Sequence, residues 1–150
     1  MTNSLPPDMK ILPIDETAEQ CVLGAILLDN AAYDIAVEEI TASDFSGMRH
    51  GRIFKAIGTL LANGTTVDLI TLSDMLEQGG LLEITGGRSY LAELVGSIGS
   101  ASQVRVHAGI IRSTKILREL IQLSSDTSRA AYEKQSPSEI IERLTRAVFD

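Results

Sequence analysis

QVRVHAGIIRSTKILRELIQLSSDTSRAAYEKQSPSE, residues 103–139, is the stretch on which the fold turns. From 103 to 134 it has no proline and one glycine, Gly109, so nothing there breaks a helix. At 1.5 Å per residue, a helix of about 30 residues is about 45 Å long, against an ordinary globular helix of about 11–12 residues. A new start signal follows at once. Ser136 stands as an N-cap, Pro137 at the first helical position and Glu139 at the third. The second helix carries Ile140, Ile141, Leu144, Ala147 and Val148 and is still running at Asp150. Two helices joined by a short turn form a helical hairpin.

The first hairpin helix places Ile116, Leu117, Leu120, Ile121 and Leu123 close together, on more than one stripe of its surface. One stripe can pack on Ile140 and Leu144 of the return helix. The remaining apolar surface needs another partner, either the preceding domain or a second protomer. So thin an appendage has little core of its own, and association is expected. Ile116, Leu117, Leu120, Leu123 and Leu144 are the candidate oligomer interface.

Upstream, the pattern is helical throughout. Residues 1–13 contain Pro6, Pro7 and Pro13 and little periodicity, and read as a flexible arm. Asp15 is placed as an N-cap, with Glu16 and Glu19 favouring the first turn. In AEQCVLGAILLDN, residues 18–30, the apolar positions Ala18, Cys21, Val22, Ala25, Ile26 and Leu28 recur at helical spacing. Gly24 costs about 1 kcal/mol there relative to Ala, which close approach of a neighbouring helix would justify. Asp29-Asn30 ends this helix and caps the next, from Ala31 to about Ile40. A turn follows around Asp44-Phe45. A helix over Met48–Ala62 stops at Asn63-Gly64, and Asp68 caps a helix that stops at Gly79-Gly80. A short helix around Tyr90, Leu91, Leu94 and Val95 follows Gly86-Gly87. Strand alternation is missing, and Thr65-Thr66-Val67 is too short to build a sheet. The fold class is therefore all-α: an arm (1–13), a compact multi-helix head (14–101) and a hairpin (102–150).

The 150 residues carry a net charge of −7, unevenly placed. Residues 1–102 hold 14 acidic and five basic side chains, and residues 103–150 hold six and eight. The head should repel a nucleic-acid backbone, and the hairpin is too weakly basic to define a DNA-binding patch. No apolar run reaches the roughly 18 residues that suggest a membrane span, and the N-terminus lacks the features of a signal peptide. A cytoplasmic protein is expected. Cys21, the single cysteine, reads as a small buried hydrophobe. His50 and His107 lack neighbours at ligand spacing and read as packing or surface residues. There is no GxxxxGK[ST], CxxC or HExxH, hence no recognisable phosphate loop or metal site. Glu38-Glu39 reads as a solvated face. No catalytic or cofactor-binding residue emerges.

Six blocks in order then carry a resemblance: AEQCVLGAILLDN at 18–30, DF at 44–45, RHGRIFKAI at 49–57, VDLITLSDMLE at 67–77, GGRSYLAELV at 86–95 and HAGIIR at 107–112. Together they resemble the N-terminal domain of bacterial replicative DNA helicases of the DnaB type. Gly99 stands where that family often has Pro, and His107 where it often has Tyr. The resemblance implies a collar domain, with head and hairpin assembling as dimers into a trimer of dimers. The RecA-like motor, which would use ATP and Mg and act on DNA at the replication fork, is expected outside these 150 residues. The collar would dock primase and offer a place for a helicase loader. Matched block by block, the primase-facing positions fall on Tyr90, Ile121, Thr127 and Ile140. The competing class is a free-standing helical adaptor that regulates a host helicase and has no motor.

Overall fold

The computed structural model describes residues 10–98 and 100–150 of the chain. Position 99, one of the departures from the family pattern, and most of the proposed arm lie outside that range. Among the described residues the chain forms seven α-helices and no strand: α1 (Glu16–Leu28), α2 (Ala32–Ala36), α3 (Met48–Ala62), α4 (Leu69–Gln78), α5 (Gly87–Gly96), α6 (Val104–Tyr132) and α7 (Pro137–Phe149). Single 3-10 turns at Ala42–Asp44 and Glu83–Thr85 punctuate them. The all-α class holds. The chain divides into two units, Ile14–Lys115 and Ile116–Asp150, the latter grouped with the arm up to Pro13.

The helix starts follow local chemistry. Asp15 Oδ1 accepts from the Ala18 N–H at 2.9 Å, satisfying one of the first orphan donors of α1. Asp68 accepts from the Thr71 N–H at 2.8 Å while Thr71 Oγ1 accepts from the Asp68 N–H at 3.0 Å, a reciprocal cap on α4. α7 starts where its Pro137 signal places it, but the Ser136 hydroxyl makes no capping bond and sits 3.1 Å from Ser138 Oγ instead. The expected second helix is shorter than read, ending at Ala36 rather than about Ile40, with turns and a 3-10 segment taking over. Its cap also differs. Ala31 holds the N-cap position, and Asn30 reaches across the head: its amide accepts from the Val67 N–H at 2.8 Å and donates to the Val67 carbonyl at 2.9 Å. That bidentate pairing satisfies both backbone groups of Val67 without a sheet, while the Thr65 N–H bonds to the Leu60 carbonyl and the Thr66 carbonyl accepts from Thr71 Oγ1.

The head core gathers Val22, Leu23 and Ile26 of α1, Ile53, Phe54 and Ile57 of α3, Leu72 and Leu76 of α4, and Leu91 and Leu94 of α5. Each such side chain contributes about 1.5–3 kcal/mol on burial. The buried stripe of α1 differs in part from the one read in the sequence. Leu23 is inside, Leu28 is about half exposed, and Cys21 is half-buried rather than buried. Gly24 does serve close helix approach: a Cβ there would run into the Leu94 carbonyl oxygen and the Ile98 side chain. The first turns of α6 complete the head, with Val104, Ala108 and Ile111 buried at i, i+4 and i+7. Glu38 and Glu39 lie on a solvated face, as read, and there pair with the exposed Arg105 of α6 at 2.9 and 3.4 Å.

Candidate interaction site

In the hairpin unit almost nothing is buried. Ile116, Leu117, Leu120 and Ile121 of α6 are each 42–48% exposed, and α7 has no buried residue at all. Among the described residues of this unit, only Ala130 is buried. The two helices hold an open cleft of about 310 Å³ whose walls include Leu123, Thr127 and Ala130 from α6 and Ile140, Leu144 and Ala147 from α7. A second depression of about 430 Å³ is formed by Ile116, Leu120 and Leu123 with Ala147 and Val148. The fold therefore brings together Thr127 and Ile140, two of the four positions read as primase-facing, along with Leu123 and Leu144 from the assembly set. Ile121 and Leu117 line neither depression. Arg118 Nη1 donates to the Pro13 carbonyl at 2.9 Å, holding the end of the arm on α6.

Tyr90 belongs to the other unit, and its setting was not legible from sequence. Glu19 of α1, His50 of α3 and Tyr90 of α5 form one hydrogen-bonded chain. His50 Nδ1 lies 2.8 Å from Glu19 Oε1, and His50 Nε2 lies 2.6 Å from the Tyr90 hydroxyl. The Ser46 N–H donates to Glu19 Oε2 at 3.0 Å, and Gln20 Nε2 donates to the Tyr90 hydroxyl at 3.3 Å. With Glu19 ionised, His50 Nδ1–H donates to it. In the neutral ring Nε2 then accepts from Tyr90, and every polar atom of the chain has a partner. His50 and Glu19 are both buried. Burial alone raises the Glu19 pKa, but the hydrogen bonds from His50 and Ser46 outweigh it and hold the carboxyl below its ordinary value.

The Tyr90 ring is fixed from two further sides. It stacks on His50 at a centroid separation of 6.0 Å, and the Arg49 guanidinium lies 3.9 Å from its centroid. Arg49 also pairs with Glu16 at 3.2 Å. Gly86, at φ 110°, lies under the ring, where a Cβ would collide with the Tyr90 side chain. Tyr90 is thus a half-buried, immobilised aromatic. His50 was read as a packing or surface residue. It packs, but as a fully partnered polar one. The available signal was Glu19, which shares the buried face of α1 with Val22, Leu23 and Ile26. A carboxylate on that stripe demands a partner.

Among the described residues no group of three or more His, Cys, Asp or Glu side chains is arranged to hold a metal ion. No helix among them is long and apolar enough to cross a membrane.

A small helical head followed by a helical hairpin whose apolar side chains are largely uncovered defines an all-α class of two-part domains. The chain belongs to the DnaB-like helicase N-terminal domain family, whose model matches residues 11–113. It is 38% identical over 122 residues to the replicative DNA helicase DnaB of Buchnera aphidicola subsp. Baizongia pistaciae, covering 81% of this chain and 26% of that protein. It is 36% identical over 143 residues to DnaB of Haemophilus influenzae, covering 94% and 31%. Replicative DNA helicase DnaC of Bacillus subtilis is 35% identical over 130 residues, covering 87% and 29%. The chain thus spans about a third or less of the length of these relatives. The crystal structure of the N-terminal domain of DnaB helicase from Mycobacterium tuberculosis superposes with a TM-score of 0.87 at 29% identity, covering 93% of this chain and 99% of that one.

Proposed function

We propose that this domain assembles a replicative DNA helicase into its ring and docks primase on it. The ATP- and Mg-dependent unwinding of DNA is performed by a motor domain outside these 150 residues. One observation carries the reading: the hairpin leaves Ile116, Leu117, Leu120, Ile121 and Leu144 at least a third exposed and has no buried large aliphatic among its described residues, whereas the head, though Ile70 and Ile84 lie on its surface, is built round a buried aliphatic core. Apolar surface of that extent on a thin appendage serves association. Self-association of hairpins into dimers, and of dimers into a trimer, covers part of it. The cleft between α6 and α7, with Thr127 and Ile140 on its walls, offers primase an apolar socket, and Tyr90 offers a rigid aromatic on the head. A helicase loader is a further partner of the same domain, and the assembly works in the cytoplasm.

The paired test is Ile140→Ala, read by melting temperature and by affinity for the C-terminal domain of the cognate primase. An interface anchor loses roughly 1–2 kcal/mol or more on truncation, about tenfold or more in affinity, with the melting temperature unchanged. A lowered melting temperature with unchanged affinity would make Ile140 a packing residue and remove the docking cleft from the proposal.

A further inference from the structure

Residues 14–115 hold 13 acidic and seven basic side chains, so each cation of the head has carboxylates to choose from. Five of the seven are engaged. Arg49 pairs with Glu16, Arg88 with Asp74 and Glu77, Arg105 with Glu38 and Glu39, and Arg112 with Asp44. Lys115 donates to the Ser43 carbonyl at 3.0 Å. Of the head's seven cations, only Arg52 and Lys55 have side chains that make no ion pair or hydrogen bond among the described residues. They stand one turn apart on the same side of α3.

These two cations border apolar relief. Lys55 and Ala42 lie on the shared border of two adjoining depressions. One, of about 450 Å³, is walled by Tyr33, Val37 and Phe54. The other, of about 360 Å³, is walled by Phe45 and Met48 and edged by Arg52. Met48 is 71% exposed on the first turn of α3.

We propose that this face of the head is a docking surface for a segment of another protein that carries an apolar anchor beside two or more carboxylates. The charge pattern selects that chemistry. An acidic ligand is repelled by most of the head and, within the head, meets cations without a carboxylate or hydrogen-bond partner at Arg52 and Lys55, which favours its landing there. The depressions take its apolar side chain, and Arg52 and Lys55 take its carboxylates. A nucleic-acid strand fits less well. Phosphate binding draws on many cations, and two give a weak salt-dependent contact. Phe45 and Phe54 are buried, and the half-buried Tyr33 is the one further aromatic lining either depression, too few ring faces for a run of bases to stack on. The surface lies wholly within the head unit and uses none of the hairpin residues, so it stands or falls separately from primase docking in the cleft.

The test uses the whole 150-residue chain and a fluorescein-labelled peptide in which Leu and Phe alternate with Asp and Glu. Controls are the same peptide with every acidic residue replaced by Lys, and a labelled oligo(dT). The acidic peptide should bind saturably, weaken with salt, and shift the backbone amide resonances around Met48, Arg52 and Lys55. The double variant R52E/K55E should lose about tenfold or more in affinity at an unchanged melting temperature. R52Q/K55Q serves if the charge reversal disturbs folding, and Met48→Ser should weaken binding independently. The proposal is overturned by absence of saturable binding, by equal binding of the Lys peptide, or by undiminished binding to the double variant. Tighter binding of oligo(dT), lost in that same variant, would also overturn it and assign the face to nucleic acid.

Discussion

Glu19 and His50 show how a single buried carboxylate organises three helices. Removing His50 leaves Glu19 in the interior with Ser46 alone to donate hydrogen bonds to it. Breaking a buried pair from one side costs about 3–5 kcal/mol, so His50→Ala should lower the urea midpoint substantially. It should also release the Tyr90 ring, which a change in tyrosine fluorescence or ring-proton shifts would report. A midpoint within error of wild type would mean the pair contributes nothing. The Glu19 shift also sets a pH dependence. Its folded pKa lies below the ordinary value, so the unfolded chain binds the proton first as pH falls. The stabilisation is therefore complete above the unfolded carboxylate pKa and is lost as pH drops through the lowered folded one. Urea midpoints measured from neutral pH into the acid range should fall less steeply for Glu19→Gln than for wild type. Parallel profiles would show that other carboxylates carry the acid sensitivity.

At the scale of elements, α1 and α5 are held closer than side chains normally permit, and Gly24 is the reason. The Leu94 carbonyl of α5 and the Ile98 side chain occupy the space of a Cβ. By helix propensity alone, Gly24→Ala should stabilise α1 by about 1 kcal/mol. Overpacking costs typically 1–3 kcal/mol and here acts against backbone, which cannot rotate away. The expected result is net destabilisation, read as a lower urea midpoint with an unchanged slope. A stabilised variant would show that α5 moves freely relative to α1. The hairpin helices present the opposite case. α7 buries no residue against α6, so substitutions such as Val148→Ser should leave the melting temperature of the head untouched.

At the scale of the molecule, the uncovered hairpin predicts self-association. Leu120 is 48% exposed and walls the depression that ends at Ala147 and Val148. Leu120→Asp would bury an unpartnered carboxylate in a hairpin-to-hairpin contact, at a cost of several kcal/mol, enough to split a dimer. Sedimentation should show wild type associating at tens of micromolar, a range set by about −6 to −7 kcal/mol of binding free energy, and the variant monomeric. A wild-type chain already monomeric there would remove the interface from this domain. The same protein should give no saturable heat with ATP, and its duplex DNA affinity should be weak and vanish with salt, because the acidic head repels phosphate. Salt-resistant DNA binding would mean the basic side chains of the hairpin act together.

What the sequence determined by itself is what is encoded within a few residues. The caps at Asp15 and Asp68, the stops at Asn63-Gly64 and Gly79-Gly80, and the uninterrupted run into a Pro137 restart all appear where local chemistry places them. A cap or a positive-φ glycine acts on its own turn, so it can be read without knowing the rest of the chain. The surplus of apolar residues on α6 was legible for the same reason, since helical period alone puts Ile116, Leu120 and Leu123 on a surface. Only the tertiary structure decided which polar residues meet. Glu19 and His50 are 31 positions apart, His50 and Tyr90 are 40, and Asn30 and Val67 are 37. No local pattern marks such pairs, because each forms only when helix packing has removed both groups from water and a lone polar atom there would be costly. The isolation of Arg52 and Lys55 is of the same kind. In the sequence they are two cations among seven in the head. They stand apart only once folding has given the other five their partners.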